Sequence, residues 1–429
     1  GFPPFSNDDE EDTSSFGLGK CIFQIQNAQI NAGSRYSRKL QIEDNDTEEK
    51  ILDFAGVNNE VKLKNVHTSF NDWACSLRGK YREFVYSMPI LANYINSSTL
   101  TDEVIQNIEL LLYKEGDSES SYFFVNRDRI GIENVINLIE EYHNCLYVSE
   151  AQGLKVYGIA GCGKTFRLCN IAEKLARTTN TYLFFGTDFF DNEDPLDTIA
   201  YKLGWNTERP FDELNDLMVR NERNAIFIID GINEGTGIYF WQNKLPALMD
   251  RIKKWSNLKL IISLREHESN DVMQDVLISM PECIQINGFK DRTKAVKEFF
   301  KHYSISDQNK YYEIKEFDNP LFLKIFCQAY ETLSFEDRRT VNRLAIYRSY
   351  LYQRNKEVSK GVDADPRTNF TSKFLYRLAE ISLFQYRCGD IPREKVKRIS
   401  YKLCPYRTWN NDLLNNALIE NLLMEYTTR

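Results

Sequence analysis

The sequence predicts an α/β protein built on a parallel sheet with helices on both faces, preceded by a mainly helical module and followed by further helices. Three observations predict it. Apolar, β-branched runs at 154–157, 182–185, 225–229, 258–264 and 283–286 alternate with stretches of helical period, the pattern of strands covered on both faces. The first run passes directly into Gly158, Ile159, Ala160, Gly161, Cys162, Gly163, Lys164 and Thr165, a GxxxxGKT loop, and an amphipathic helix follows it (Phe166, Leu168, Cys169, Ile171, Ala172, Leu175). The third run ends in Asp230, followed by Gly231, Ile232, Asn233 and Glu234.

Each residue type in the loop has a chemical reason. The glycines let successive backbone N–H groups face phosphate oxygens, and the helix opening at Lys164 adds the positive end of its dipole. Lys164 neutralises the β- and γ-phosphates, and the Thr165 hydroxyl is a ligand for Mg²⁺. Gly158, Gly161, Cys162, Gly163, Lys164, Thr165 and Phe166 are therefore candidate contacts for ATP or ADP. Asp230 stands where a Mg²⁺-organising acid belongs, at the carboxyl end of a parallel strand, and Glu234 can polarise the attacking water as general base. Arg265 follows the fourth strand onto the same rim. Its guanidinium there either reaches a γ-phosphate or pairs with Glu266 and Glu268. Cys162, at a helix start, is either a thiol of lowered pKa or filler at a tolerant loop position.

The run ending in Asp230, Gly231, Ile232, Asn233 and Glu234 resembles the NACHT class of STAND nucleotide-dependent switches. Three further segments fit that resemblance. Arg265 looks like the sensor arginine after the next strand. Asn319, Pro320, Leu321, Phe322, Leu323, Lys324, Ile325 and Phe326 look like the proline motif that opens the first lid helix and faces the base. Gly33, Ser34, Arg35, Tyr36, Ser37 and Leu40 look like the GxRYxxxL segment of the bacterial antiviral STAND (Avs) proteins, which the chain is most like. The resemblance implies a P-loop NTPase that uses ATP, ADP and Mg²⁺. It further implies self-association into an active oligomer when a trigger, a phage protein, is recognised, and activation of an N-terminal effector in cytoplasmic antiviral defence. Asn233 occupies the place of a second acid in animal NACHT proteins, so hydrolysis is expected to rest on Glu234 and to be slow. A mechanical AAA-type ATPase and a nucleotide-locked scaffold are the alternatives. The Asn319-Pro320 pair argues against the first and the presence of Glu234 against the second.

A length of 429 residues suggests about two to four domains. A net charge of -8 argues against general affinity for nucleic acid or anionic lipid. The nine cysteines form no CxxC pair and only four histidines occur, which points to reduced thiols and no site for a transition metal. No apolar run of transmembrane length is present. The first residue is Gly, and the last residues read as the start of a strand, so the chain is expected to be part of a longer protein with its effector and sensor outside it.

Along the chain, residues 1–20 combine Pro3, Pro4 and an acidic tract and are expected to be a disordered linker. Residues 21–150 are expected to be a mainly helical linker module, opening with short strands and turns over 21–52. The nucleotide-binding domain is expected at 151–290, a helical lid at 291–333, and a helical and truncated winged-helix domain at 334–429.

Overall fold

Strands β1 (Gly153–Gly158), β2 (Asn180–Phe185), β3 (Ala225–Asp230), β4 (Leu258–Arg265) and β5 (Glu282–Gln285) pair in parallel in the order β2-β3-β4-β1-β5. The structure is a computed structural model that describes residues 16–31, 45–77, 121–189, 193–232, 237–265, 280, 282–306, 309–386, 391–405, 412–419 and 423. Every residue of β3 is buried, as a central strand covered on both faces requires. The expected α/β architecture is the observed one. Strand β4 lies between β1 and β3 and so shares a register with both.

Among the described residues, four helices precede the sheet: α1 (Leu18–Asn31), α2 (Asn45–Ala55), α3 (Asn59–Leu77) and α4 (Ser121–Glu150). The strands and turns expected over 21–52 are thus corrected to helices in the described part of that range. Cys21, Ile25 and Ala28 recur at helical spacing and are buried on one face of α1, a period masked by the apolar Phe23 and Ile30 of the same helix, which are exposed. The linker expected at 1–20 is also too long. Phe16 is buried with its ring 5.0 Å from that of Trp205. Residues 1–15 lie outside the described residues.

Helix α1 solves a problem that β2 creates. As an edge strand, β2 leaves one row of backbone groups without a ladder partner. The Gln24 side chain supplies both halves of a rung, donating from Nε2 to Leu183 O at 2.5 Å and accepting the Leu183 N–H at 3.0 Å. All six residues of β2 are buried.

At the opposite end of the sheet from the carboxyl rim, Lys259 of β4 is almost fully buried. Its ammonium donates to Ser149 O and, at 2.9 Å, to Ala151 O, which binds the last turn of α4 to the sheet. A cation suits a helix C-terminus. Burial nevertheless lowers the Lys259 pKa to about 8, with Glu150 acting in the opposite direction.

After β1 come α5 (Lys164–Leu175), α6 (Pro195–Leu203), α7 (Pro210–Arg220) and α8 (Gly237–Ile252), which interleave with the strands. Beyond β5 the described chain is helical: α9 (Arg292–His302), α10 (Pro320–Ala329), α11 (Phe335–Thr340), α12 (Arg343–Gly361), α13 (Phe370–Gln385), α14 (Arg393–Leu403) and α15 (Leu413–Ile419). Two further cores form here. One gathers Phe299, Phe300, Phe317, Phe326 and Ile346, the other Val358, Phe374, Leu378, Val396 and Leu413. Helix α12 contributes Ile346 to the first and Val358 to the second, so one rod joins them. No described helix is long and apolar enough to cross a membrane.

Candidate nucleotide-binding site

The loop leaves β1 at Gly158, turns through Ile159 to Gly163 and enters α5 at Lys164. Gly161 and Gly163 have φ of 78° and 96°, in the left-handed region that other residues enter at a cost. Cys162 between them is fully buried against the sheet core, with its sulfur 3.7 Å from the Lys164 ammonium. The Lys164 ammonium donates to Gly158 O at 2.7 Å and Ile159 O at 3.1 Å, which holds it inside the curve of the loop. Phe166 is half-buried against the sheet core, so its contribution to the loop is its backbone at the start of α5.

One turn below, the Thr165 hydroxyl donates to Asp230 Oδ2 at 2.5 Å. Asp230, the last residue of β3, is buried, and its other oxygen accepts from the Ser263 hydroxyl of β4. That same Ser263 oxygen accepts the Gly231 N–H at 2.8 Å, and the Ser263 carbonyl accepts the Ile232 N–H at 3.0 Å. Ser263 thus fixes both the carboxylate and the turn that leads away from it. Sequence reasoning missed this residue. The signal was a hydroxyl in the middle of an otherwise apolar buried strand, which needs a partner.

Arg265 ends β4 and is the register partner of Gly158. Asp230, Arg265 and the loop therefore share the carboxyl rim, as expected of ligand sites in such sheets. Glu234, Arg35 and Tyr36 lie outside the described residues. The thiol of Cys169 in α5 is pushed well above the usual range by burial, and the Asp230 charge adds to the shift. Such a thiol is inert.

The start of α10 closes over the loop. Pro320 occupies its first turn, and Asn319 caps it by accepting the Phe322 N–H at 3.1 Å. The Asn319 amide also donates to Ala160 O at 3.1 Å, and the Leu321 N–H donates to Gly161 O at 3.2 Å. A Cβ on Gly161 would fall 2.8 Å from that of Leu321. The seat of α10 is braced behind by Arg292, whose guanidinium grips both oxygens of Asp318 at 2.7 Å.

Taken as a donor set, the first-turn N–H groups of α5, the Lys164 ammonium, the Thr165 hydroxyl and the Asp230 carboxylate fit a polyphosphate with a hard divalent cation. Residues 154–307 match the sequence profile of the NACHT domain. This segment is a NACHT-type P-loop NTPase domain. No curated protein matches the chain. Among solved structures, a Walker-type ATPase of Pyrococcus abyssi is similar over 64% of this chain and 92% of its own, with 14% identity and a TM-score of 0.34. The AAA domain of FIGL-1 in complex with ADP is similar over 46% of this chain and 70% of its own, with 11% identity and a TM-score of 0.29. The matched segment runs from the second residue of β1 to just past the end of α9, so the loop, Asp230 and Arg265 lie inside it and Asn319 and Pro320 lie beyond its matched end.

Proposed function

We propose that the chain is an ATP-operated switch, the NTPase core of a signalling protein that binds ATP and hydrolyses it slowly. The observation that carries this reading is the 2.5 Å bond from Thr165 to Asp230 beneath the GxxxxGKT loop, which brings the two expected Mg²⁺ ligands together. In this reading Lys164 and the loop N–H groups bind the phosphates, and Glu234 activates the attacking water. Pro320, Arg35 and Tyr36 meet the adenine. Mg²⁺, when bound, supplies positive charge at the phosphoryl oxygens.

The physical basis of switching is differential contact. Arg265 at the rim can distinguish ATP from ADP by the γ-phosphate, and α10 rests on the same loop that binds the phosphates. A ligand shifts a two-state protein only by what it contacts differently in the two states. Asn233, beside Glu234, supports slow turnover, because it provides no second acid. The wider role rests on the resemblance of residues 154–326 and of the Arg35-Tyr36 segment. That role is trigger-dependent self-association, with a phage protein as trigger and an N-terminal effector as output, in cytoplasmic antiviral defence.

The test is calorimetry of ATP and ADP binding in the parent and in Lys164→Ala. A charge-assisted bond to phosphate contributes about 1.5–3 kcal/mol, so affinity for both nucleotides should fall by about ten- to a hundredfold. Unchanged affinity removes the site assignment. Steady-state turnover of many cycles per minute would replace the switch with a mechanical ATPase.

A further inference from the structure

The two bonds between α10 and the loop involve successive peptide groups. Ala160 O accepts from Asn319 Nδ2, and Gly161 O accepts from the Leu321 N–H. In a planar trans peptide the C=O and the following N–H point in opposite directions. Carbonyls drawn toward α10 therefore turn the N–H groups of Gly161 and Cys162 away from it, and the Cys162 N–H donates within the loop to Ile159 O at 3.4 Å, the carbonyl that also accepts from the Lys164 ammonium. Phosphate binding by such a loop depends on that N–H orientation.

We propose that Asn319 is a positioning residue of the phosphate loop. Its Nδ2 orients the Ala160–Gly161 peptide for phosphate, while its Oδ1 caps α10. One side chain thus makes seating of α10 and readiness of the loop a single equilibrium. The inference rests on the nucleotide-binding reading above and extends it to a residue beyond the matched NACHT segment. By linkage, a nucleotide that draws on those N–H groups stabilises the seated α10 to the same degree that the seat strengthens binding.

The decisive variant is Asn319→Ser, which keeps a cap acceptor for Phe322 and removes the amide donor. One neutral hydrogen bond predicts that ADP and ATP affinities fall alike by about two- to tenfold. AMP, which lacks the β-phosphate held by the loop, should compete as it does against the parent. Hydrogen exchange supplies an independent readout: ADP should protect the amides of 322–326 in the parent and protect them less in Asn319→Ser. Asn319→Ala should add a drop in melting temperature through loss of the cap. Parental ADP and ATP affinity in Asn319→Ser overturns the proposal, as does a loss shared equally by AMP. Failure of the nucleotide reading itself is seen separately, as parent and Lys164→Ala chains that bind no differently; the proposal then falls with it.

Discussion

Arg265 and Gly158 are register partners at the carboxyl ends of β4 and β1, so the residue where the phosphate loop departs and the proposed sensor occupy the same rung of the sheet. This adjacency gives the sensor reading a sharp consequence. Arg265→Ala should weaken ATP by about ten- to a hundredfold, the worth of one charge-assisted contact, and leave ADP nearly unchanged. Calorimetry with both nucleotides decides it. Equal losses for ATP and ADP would mean that another residue reports the γ-phosphate.

Thr165 and Ser263 hold opposite oxygens of Asp230, and their removal should have different effects. Thr165→Ala takes away a proposed metal ligand, so nucleotide binding should lose its Mg²⁺-dependent part and keep its affinity in EDTA. Ser263→Ala leaves the Gly231 N–H and a buried carboxylate short of a partner, which should cost about 1–3 kcal/mol of stability and raise the Mg²⁺ concentration needed for half-saturation. Denaturant melts and Mg²⁺ titrations of the two variants should therefore differ in kind. Matching profiles would contradict the division of roles.

Gly288 joins β5 to the helices that follow, with φ of 102° and the Asp318 carbonyl where a side chain would begin. An added Cβ would lie 2.0 Å from that oxygen and displace the 2.8 Å bond from Phe289 N–H to Asp318 O. Gly288→Ala should destabilise the protein by roughly 2 kcal/mol or more, combining left-handed backbone strain with the clash. Because Asp318 precedes the cap of α10, nucleotide affinity should fall as well. A variant as stable as the parent would show that this joint is slack.

Lys259 gives a pH dependence whose sign can be worked out. Its ordinary value of 10.5 applies to the unfolded chain, whereas the folded chain holds the proton only to about pH 8. Below about 8 both states are protonated and the burial penalty is present in full. From there to about 10.5 the unfolded state binds more protons, so stability contributed at this site rises with pH. Subtracting the pH–stability curve of Lys259→Met from that of the parent should isolate that rise. A flat difference across the window would show that the two carbonyls beside the ammonium cancel the effect of burial.

Much of this architecture was legible in the sequence because the signals were local. The strands carry apolar runs with sharp ends, and the loop spacing leaves little freedom, so observed boundaries depart from the expected ones by at most two residues. The start of the chain was misread for a physical reason. In α1, exposed Phe23 and Ile30 blur the buried stripe of Cys21, Ile25 and Ala28, and the amphipathic pattern loses contrast. Ser263 and the double role of Asn319 were illegible because both depend on strand order and on where α10 returns. No local period encodes either. Once β4 separates β1 from β3, a serine two residues before its end must meet Asp230 and an arginine at its end must meet Gly158.

Arg167 reaches in two directions from the turn of α5 that follows Thr165. One guanidinium nitrogen donates to the Thr47 hydroxyl of α2 at 3.2 Å, another to Gly288 O at 2.6 Å, and Lys174 further along pairs with Glu48 at 2.6 Å. For protein engineering, position 151 is therefore a poor place to cut. A fragment starting there would strip Thr47 and Glu48 from α5 and Gln24 from the edge of β2, exposing a sticky strand and loosening the helix that carries Lys164. Shortened versions of the chain should keep residues 16–77 with the sheet, as part of its chassis.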